Sequence, residues 1–357
     1  GIDALDAVTT GDANVAVGKS ALSAVNTGAD NIGIGNQAGA ALTTGTANIA
    51  IGSNALATED AGTKSIAIGA NALNAQNVNG SVHNIAIGND AGKLITTGLY
   101  NIMIGGQAGD GFDTESENLG IGTAALGGSI AGGEYNVAVG NYAFDAVTSA
   151  DNGIAIGYNA GSGVTTGNGN ICIGNNSGIT GTVLTTGYLN ILLGIHNRAS
   201  AADSQYQFVI GYDIAGGEDS EVSIGRNSNV IRCQFDTDAT WTRDSDERKK
   251  KNIKPDVLGL DFINDLNTVT FNWRPNNEFP KEWDDYKEEN EMNLDATMHG
   301  MIAQDVKAAL DKAGVDTFGG WKLNKDGSQR LSNDMFVFPL IKAVQELSKK
   351  VKELESK

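Results

Sequence analysis

Proline is nearly absent from this chain of 357 residues, with 4 positions against 47 glycines. Glycine at that level without proline excludes a collagen triple helix and proline-rich linkers, and a hydrophobic fraction of 40% excludes a disordered chain. Cysteine is scarce too. Cys172 and Cys233 lie in segments of different character, too few for a disulfide framework or a metal site, and they read as two small buried hydrophobes. No apolar run reaches the roughly 18 residues that mark a membrane helix, and no signal peptide opens the sequence. The chain starts at Gly1 inside a repeating pattern, so an attachment region is expected upstream. Basic residues are missing from the front: residues 1–225 hold 19 Asp and Glu against 4 Lys and Arg, whereas the remainder holds 24 against 21. An acidic segment repels phosphates and anionic lipid, so neither nucleic acid nor membrane insertion is expected, and the charge reads as solubility for a long exposed rod.

What is present is repetition. The pattern Asn-apolar-small-apolar-Gly recurs from Asn14 (NVAVG), Asn31, Asn48, Ser65, Asn84, Asn101, Asn118, Asn136, Gly153, Asn170 and Asn190, with degenerate copies at Gln207 and Glu221. Intervals are mostly 17 residues, stretch to 18, 19 and 20, and end at 14. Branched residues two apart, as in Ile49 and Ile51, give the period of a β-strand with one buried face. The glycine that follows, Gly52 for example, permits the positive φ of a tight turn. Thr43-Thr44-Gly45 and its counterparts at 96–98, 165–167 and 185–187 mark a second corner. One repeat therefore reads as one coil of a parallel β-solenoid, with the Ile/Val pairs stacked in a thin core and the asparagines in a ladder that bonds neighbouring coils. A coil of this length supplies only two or three large apolar residues, so association of several chains is expected to bury the rest. Repeats of the form N-I-A-I-G-x-x-A, over about 14–225, resemble trimeric adhesin heads and the β-roll segments of phage tail fibres, though the interval is longer than in the adhesins.

After the last weak repeat, Val230, Ile231, Phe235 and Trp241 suggest short strands, and the sequence then changes to SDERKKKNIKP. By itself that run reads as a charged surface loop. It resembles the opening of the peptidase S74 family, the intramolecular chaperone domain at the end of many phage tail fibres and tailspikes. The family pattern S-D-x-R-x-K-x-N-I is met by Ser245, Asp246, Arg248, Lys250, Asn252 and Ile253. Further matching blocks run from Leu260 through Trp273, from Gly300 to Val306 and from Pro339 to Leu347. The resemblance implies self-cleavage by a Ser/Lys pair, Ser245 and Lys250, at a bond beside Ser245. The Ser245–Asp246 bond is favoured, and an N-to-O acyl shift would instead break Asp244–Ser245. A serine hydroxyl needs a base, and a lysine serves as one when desolvation or adjacent positive charge lowers its pKa; Arg248, Lys249 and Lys251 are placed to supply such charge.

Elsewhere in this segment Val257–Leu266 and Met301–Ala313 carry helical spacing, Thr268–Trp273 alternates like a strand, and Gly319-Gly320-Trp321 marks a turn. Val337, Val344 and Val351, each followed three residues on by Leu340, Leu347 and Leu354, form a heptad seam with Pro339 near the helix start. Val at a with Leu at d favours two strands; three is what the family implies. The expected architecture is thus mostly β: a solenoid fibre over 1–226, a β-rich junction over 227–244, a small α+β chaperone domain over 245–336 and a coiled-coil helix over 337–357.

Function follows as an expectation. The reading is a homotrimeric tail-fibre protein that contacts a bacterial surface glycan or outer-membrane protein, joins other tail proteins through its upstream region, resides in the virion and is made in the host cytoplasm. Any enzyme activity is at most a single self-cleavage. No cofactor or metal is expected, since His83, His196 and His299 are isolated. A depolymerase would need a carboxylate pair at glycosidase separation, and Asp90, Asp110, Asp113 and Glu115 offer no clear one. A bacterial trimeric adhesin is disfavoured because no anchor follows the heptads, and ice binding because the Thr spacing is irregular.

Overall fold

The computed structural model describes residues 1–128, 132–235, 245–283, 286–290 and 294–357, in two compact units, Gly1–Ser245 and Asp246–Lys357. Trp241 and Asp244 lie outside the described residues.

The first unit is a β-solenoid. Each NxxxG block forms a three-residue strand, such as Ile49–Ile51, that pairs in parallel with the strand of the next coil, Ile49 facing Ile66 and Ile51 facing Ile68. One 14-stranded sheet results, ordered as in the chain, with the degenerate copies contributing Phe208–Tyr212 and Glu221–Arg226. The closing glycines adopt the positive φ their position requires: Gly52 has φ 131°, and a Cβ there would lie 2.5 Å from the carbonyl oxygen of Gly69 in the next coil. Strands can stack at the usual ~4.8 Å spacing only because that column has no side chains.

The asparagine ladder forms as expected. The Asn48 amide N–H donates to Asn31 Oδ1 at 3.0 Å, and Asn48 Nδ2 donates to the Gly62 carbonyl at 2.8 Å; Asn101, Asn136 and Asn190 repeat the arrangement. Each side chain thus ties the strand start of one coil to the second corner, 14 residues further on. Where Ser65 replaces Asn, Gln76 bridges the gap, donating to Ser65 Oγ and accepting from Asn84 Nδ2, both at 2.9 Å. Where Gly153 replaces it, the ring of Phe144 occupies the space, 2.7 Å from where a Cβ would be.

The structure corrects the expected direction of the strand faces. The small middle residue points inward: Ala50, Ala67, Ala86, Met103, Ala155 and Cys172 are fully buried. The flanking Ile and Val project outward and stay partly exposed, Val17 at 57% and Ile156 at 40%. The coil interior is narrow because a second apolar motif fills it from the opposite wall, the Ala-Leu that follows several of the closing glycines, as in Ala55-Leu56 and Ala72-Leu73, all fully buried. A single chain therefore encloses a continuous row of buried residues, while the outward Ile and Val stay uncovered. The position four residues after the closing glycine holds either a large residue or glycine. Leu22, Leu56, Leu73 and Phe144 occupy it in left-handed conformation, as do Gly39, Gly92 and Gly161. Coils with glycine place their large residue three later, at Leu42, Ile95 or Val164. A Cβ at Gly39 would meet Leu22 Cδ2 at 2.7 Å, and one at Gly161 would meet Phe144 Cε1 at 2.5 Å, so the large side chain of one coil overhangs the glycine of the next.

Asn229–Gln234 turns back antiparallel on Glu221–Arg226 and ends the sheet; it carries the expected Val230 and Ile231. Arg232 Nε lies 3.2 Å from the buried Glu221 carboxylate, which also accepts from Ser223 Oγ at 2.6 Å. Cys172 is fully buried, and burial pushes its thiol up to about 12. Cys233, expected to be buried as well, is only half-buried because it sits on this last, edge strand.

In the second unit the helical spacing resolves into α1 (Leu260–Asn264), shorter than Val257–Leu266, and α2 (Ala303–Lys312); the heptad segment is α3 (Val337–Glu355). Strands Val269–Phe271 and Met298–Gly300 pair antiparallel, as do Trp321–Leu323 and Gln329–Leu331. Leu258, Phe262, Val306, Ala309, Leu310 and Phe336 form the core, with Phe262, Phe318 and Phe336 in mutual ring contact. Helix α3 turns Ala343 and Pro339 to the body, and Glu346 Oε2 accepts from the Leu260 amide at the start of α1 at 2.8 Å. The heptad seam does not pack on that body: Val344 is 59% exposed and Leu347 50%.

Candidate functional site

The segment Ser245–Lys250 holds the serine and lysine that the sequence singles out. Ser245 ends the first unit and Asp246 opens the second. Asp246 has extended backbone (φ −60°, ψ 134°) and caps a single helical turn, Glu247–Lys249. Aspartate is among the preferred residues for that place because its carboxylate accepts an otherwise unpaired amide, here that of Arg248 at 2.9 Å. The same carboxylate takes the Arg248 guanidinium through two bonds, 2.9 Å from Nε and 2.7 Å from Nη2. These contacts with Arg248 hold the Asp246 carboxyl down at about 2.

The turn brings the chain around: the Lys249 amide donates to the Asp246 carbonyl at 3.1 Å and the Lys250 amide to the Glu247 carbonyl at 2.9 Å, after which Lys250 is extended. One turn thus gathers Asp246, Arg248, Lys249 and Lys250 directly after Ser245. Asn252 then takes φ 58°, a conformation asparagine tolerates better than most residues, and redirects the strap toward Leu258, the first buried residue of the second core. Every residue from Ser245 to Val257 is exposed. Arg248, expected as a positive neighbour of Lys250, has its charge matched by Asp246. Lys250 is exposed among the described residues.

The histidines and carboxylates have structural surroundings. His83 stacks on Tyr100 with ring centres 5.4 Å apart, and His196 on Tyr212 at 6.4 Å. No cluster of His, Cys, Asp or Glu that would hold a metal occurs among the described residues. Glu115 is buried and accepts from the amides of Asp113 (2.7 Å) and Gly132 (3.0 Å). Burial, then the nearby Asp90 charge, raises the Asp110 carboxyl, which the Asp110 backbone contact partly opposes. Sequence reasoning missed one buried acid altogether: Glu59, fully buried, accepts from the Gly62 amide at 2.7 Å and from Gln76 Nε2 at 2.9 Å, beside the point where Ser65 interrupts the ladder. Its position three residues after Leu56, where other coils carry an apolar residue, is the signal that would have found it.

Residues 245–315 match the family model of peptidase S74, described as the chaperone of endosialidase. The match begins at Ser245 and takes in the SDERKK turn, α1, the first antiparallel pair and α2. No curated protein and no solved structure matches the chain. The C-terminal unit therefore carries a peptidase S74 chaperone domain, set behind a β-solenoid. That combination fits a tail-fibre or tailspike-like protein.

Proposed function

We propose that the chain is a phage tail-fibre protein that assembles as a homotrimer under the guidance of its S74 domain and then cuts itself beside Ser245, leaving the solenoid as the attachment rod. The observation that carries this reading is the start of the family match at Ser245; the choice of Lys250 as its partner follows the family pattern.

In the step itself Ser245 Oγ attacks the carbonyl carbon of a neighbouring peptide bond while its proton passes to the Lys250 amine. The C–N bond then breaks, the leaving nitrogen takes a proton, and water hydrolyses the ester. Because Lys250 is exposed on one chain, neighbouring chains must supply the dry surroundings that make it a base, which makes cleavage follow assembly. The two partly exposed apolar surfaces, the outward Ile/Val rows and the α3 heptad seam, are of the kind that other copies cover. Three as the number comes from the family. Pre-alignment by the C-terminal domain shortens the search for register among similar coils, and release of the domain leaves the rod held by a kinetic barrier.

The test is intact mass of the purified protein beside Ser245→Ala and Lys250→Met. Fragments meeting at Ser245 in the parent and full-length mass in both variants support the reading; a full-length parent leaves a plain assembly domain.

A further inference from the structure

The residue just before each ladder position sits in left-handed conformation and turns its side chain outward: Lys64, His83, Tyr100, Glu117, Tyr135, Asn152, Leu189 and Tyr206 occupy it in successive coils. Gly169, at φ 66°, is the one member of that row without a side chain. A hollow of about 470 Å³ opens there, lined by Asn152, Thr166, Asn168, Gly169, Thr186, Tyr188 and Leu189. That volume lies within the ~300–1,000 Å³ of small-molecule sites.

Its chemistry is specific. Tyr188 is fixed on two sides, its hydroxyl donating to Gln205 Oε1 and its ring edge-on to Tyr206 with centres 5.5 Å apart. Leu189 adds an apolar wall, its Cδ2 2.7 Å from where a Gly169 Cβ would lie. Around these stand two amides and two hydroxyls. Asn168 Oδ1 accepts from the Asp151 amide at 2.9 Å, and neither its NH₂ nor the side chains of Asn152, Thr166 and Thr186 have a hydrogen-bond partner among the described residues. No charged side chain lines the hollow, while the solenoid around it is strongly acidic. A rigid aromatic ring, an aliphatic wall and uncommitted amide and hydroxyl groups suit a pyranose, which has one apolar face and a rim of hydroxyls. The acidic surroundings select against anionic sugars.

We infer that the hollow at Gly169 binds a neutral hexose unit of a glycan. This deepens the attachment half of the proposed function and places it on the solenoid, apart from the self-cleavage chemistry.

The test is saturation-transfer NMR on the full chain with methyl glucoside, methyl galactoside and methyl mannoside as probes, and N-acetylneuraminic acid as the anionic counter-probe. The expected result is transfer to at least one neutral hexoside, none to the acid, and loss of the signal in Gly169→Asn and in Tyr188→Leu. Asparagine tolerates the left-handed backbone, as Asn152 does at the same place, so Gly169→Asn fills the hollow without unfolding the coil; unchanged circular dichroism and thermal midpoint verify this. Absence of transfer to all three hexosides, transfer to the acid alone, or a signal that survives both variants overturns the inference. So does a hollow covered by a second copy, seen as a change of oligomeric mass in Gly169→Asn. Intact mass and oligomeric mass on the same preparation separate the outcomes: a cut, trimeric protein without transfer sinks the glycan site alone.

Discussion

A buried side-chain amide with two backbone partners ties most coils to their neighbours. Asn101 accepts from the Asn118 amide at 3.1 Å and donates to the Glu115 carbonyl at 2.7 Å, so Asn101→Ala leaves a donor and an acceptor buried and unpaired. The expected loss is about 3 kcal/mol, read as a lower denaturant midpoint in guanidinium unfolding of the chain. Asp246 behaves differently, because its interactions are charged and exposed. Its carboxyl is depressed in the folded state, so whatever stability it contributes is fully present above the ordinary aspartate value and is lost only as pH falls toward about 2. The Asp246–Arg248 clamp is therefore expected to persist throughout the mildly acidic range. Carbon-detected NMR titration of the Asp246 carboxyl in the Ser245→Ala protein checks this; a midpoint near 4 would show that the clamp is not formed in solution.

Elements show where the sequence was readable and where it was not. The asparagine ladder and the turn glycines were legible because each needs a particular residue at a fixed interval. The inward and outward faces of the strands were not, since an alternating triplet such as Ile49-Ala50-Ile51 has the same period whichever face is buried. The deciding signal was the alanine three residues after the closing glycine together with the large residue one or four places further on, such as Leu56 or Leu42, which brings the opposite wall so close that mostly small residues fit between. The α3 seam was legible as heptads, and its exposure answers whether it packs on its own domain: Pro339, Ala343 and Glu346 serve that purpose, leaving Val344 and Leu347 outward. Leu347→Asp is accordingly expected to abolish association while leaving the monomer fold intact, seen as a drop in light-scattering mass with little change in circular dichroism. If the mass persists, the seam is not an interface.

At the scale of the whole molecule, the proposed cut position and the number of chains rest on the SDERKK resemblance alone, whereas the expectation of partners also came from the few large apolar residues per coil and from the heptad seam. Neither residue of a Ser/Lys pair in an exposed strap announces its chemistry, and composition is silent on how many chains meet. The hollow at Gly169 was illegible for another reason: it is made by a missing side chain and by neighbours one coil away on either side. What unites the two units is that each leaves an apolar surface uncovered, the Ile/Val rows on one and the heptad seam on the other. The most direct measurement is the solution mass of the uncut Ser245→Ala protein by multi-angle light scattering. Three chains per particle at micromolar concentration is the expected result, and a monomer would contradict the account.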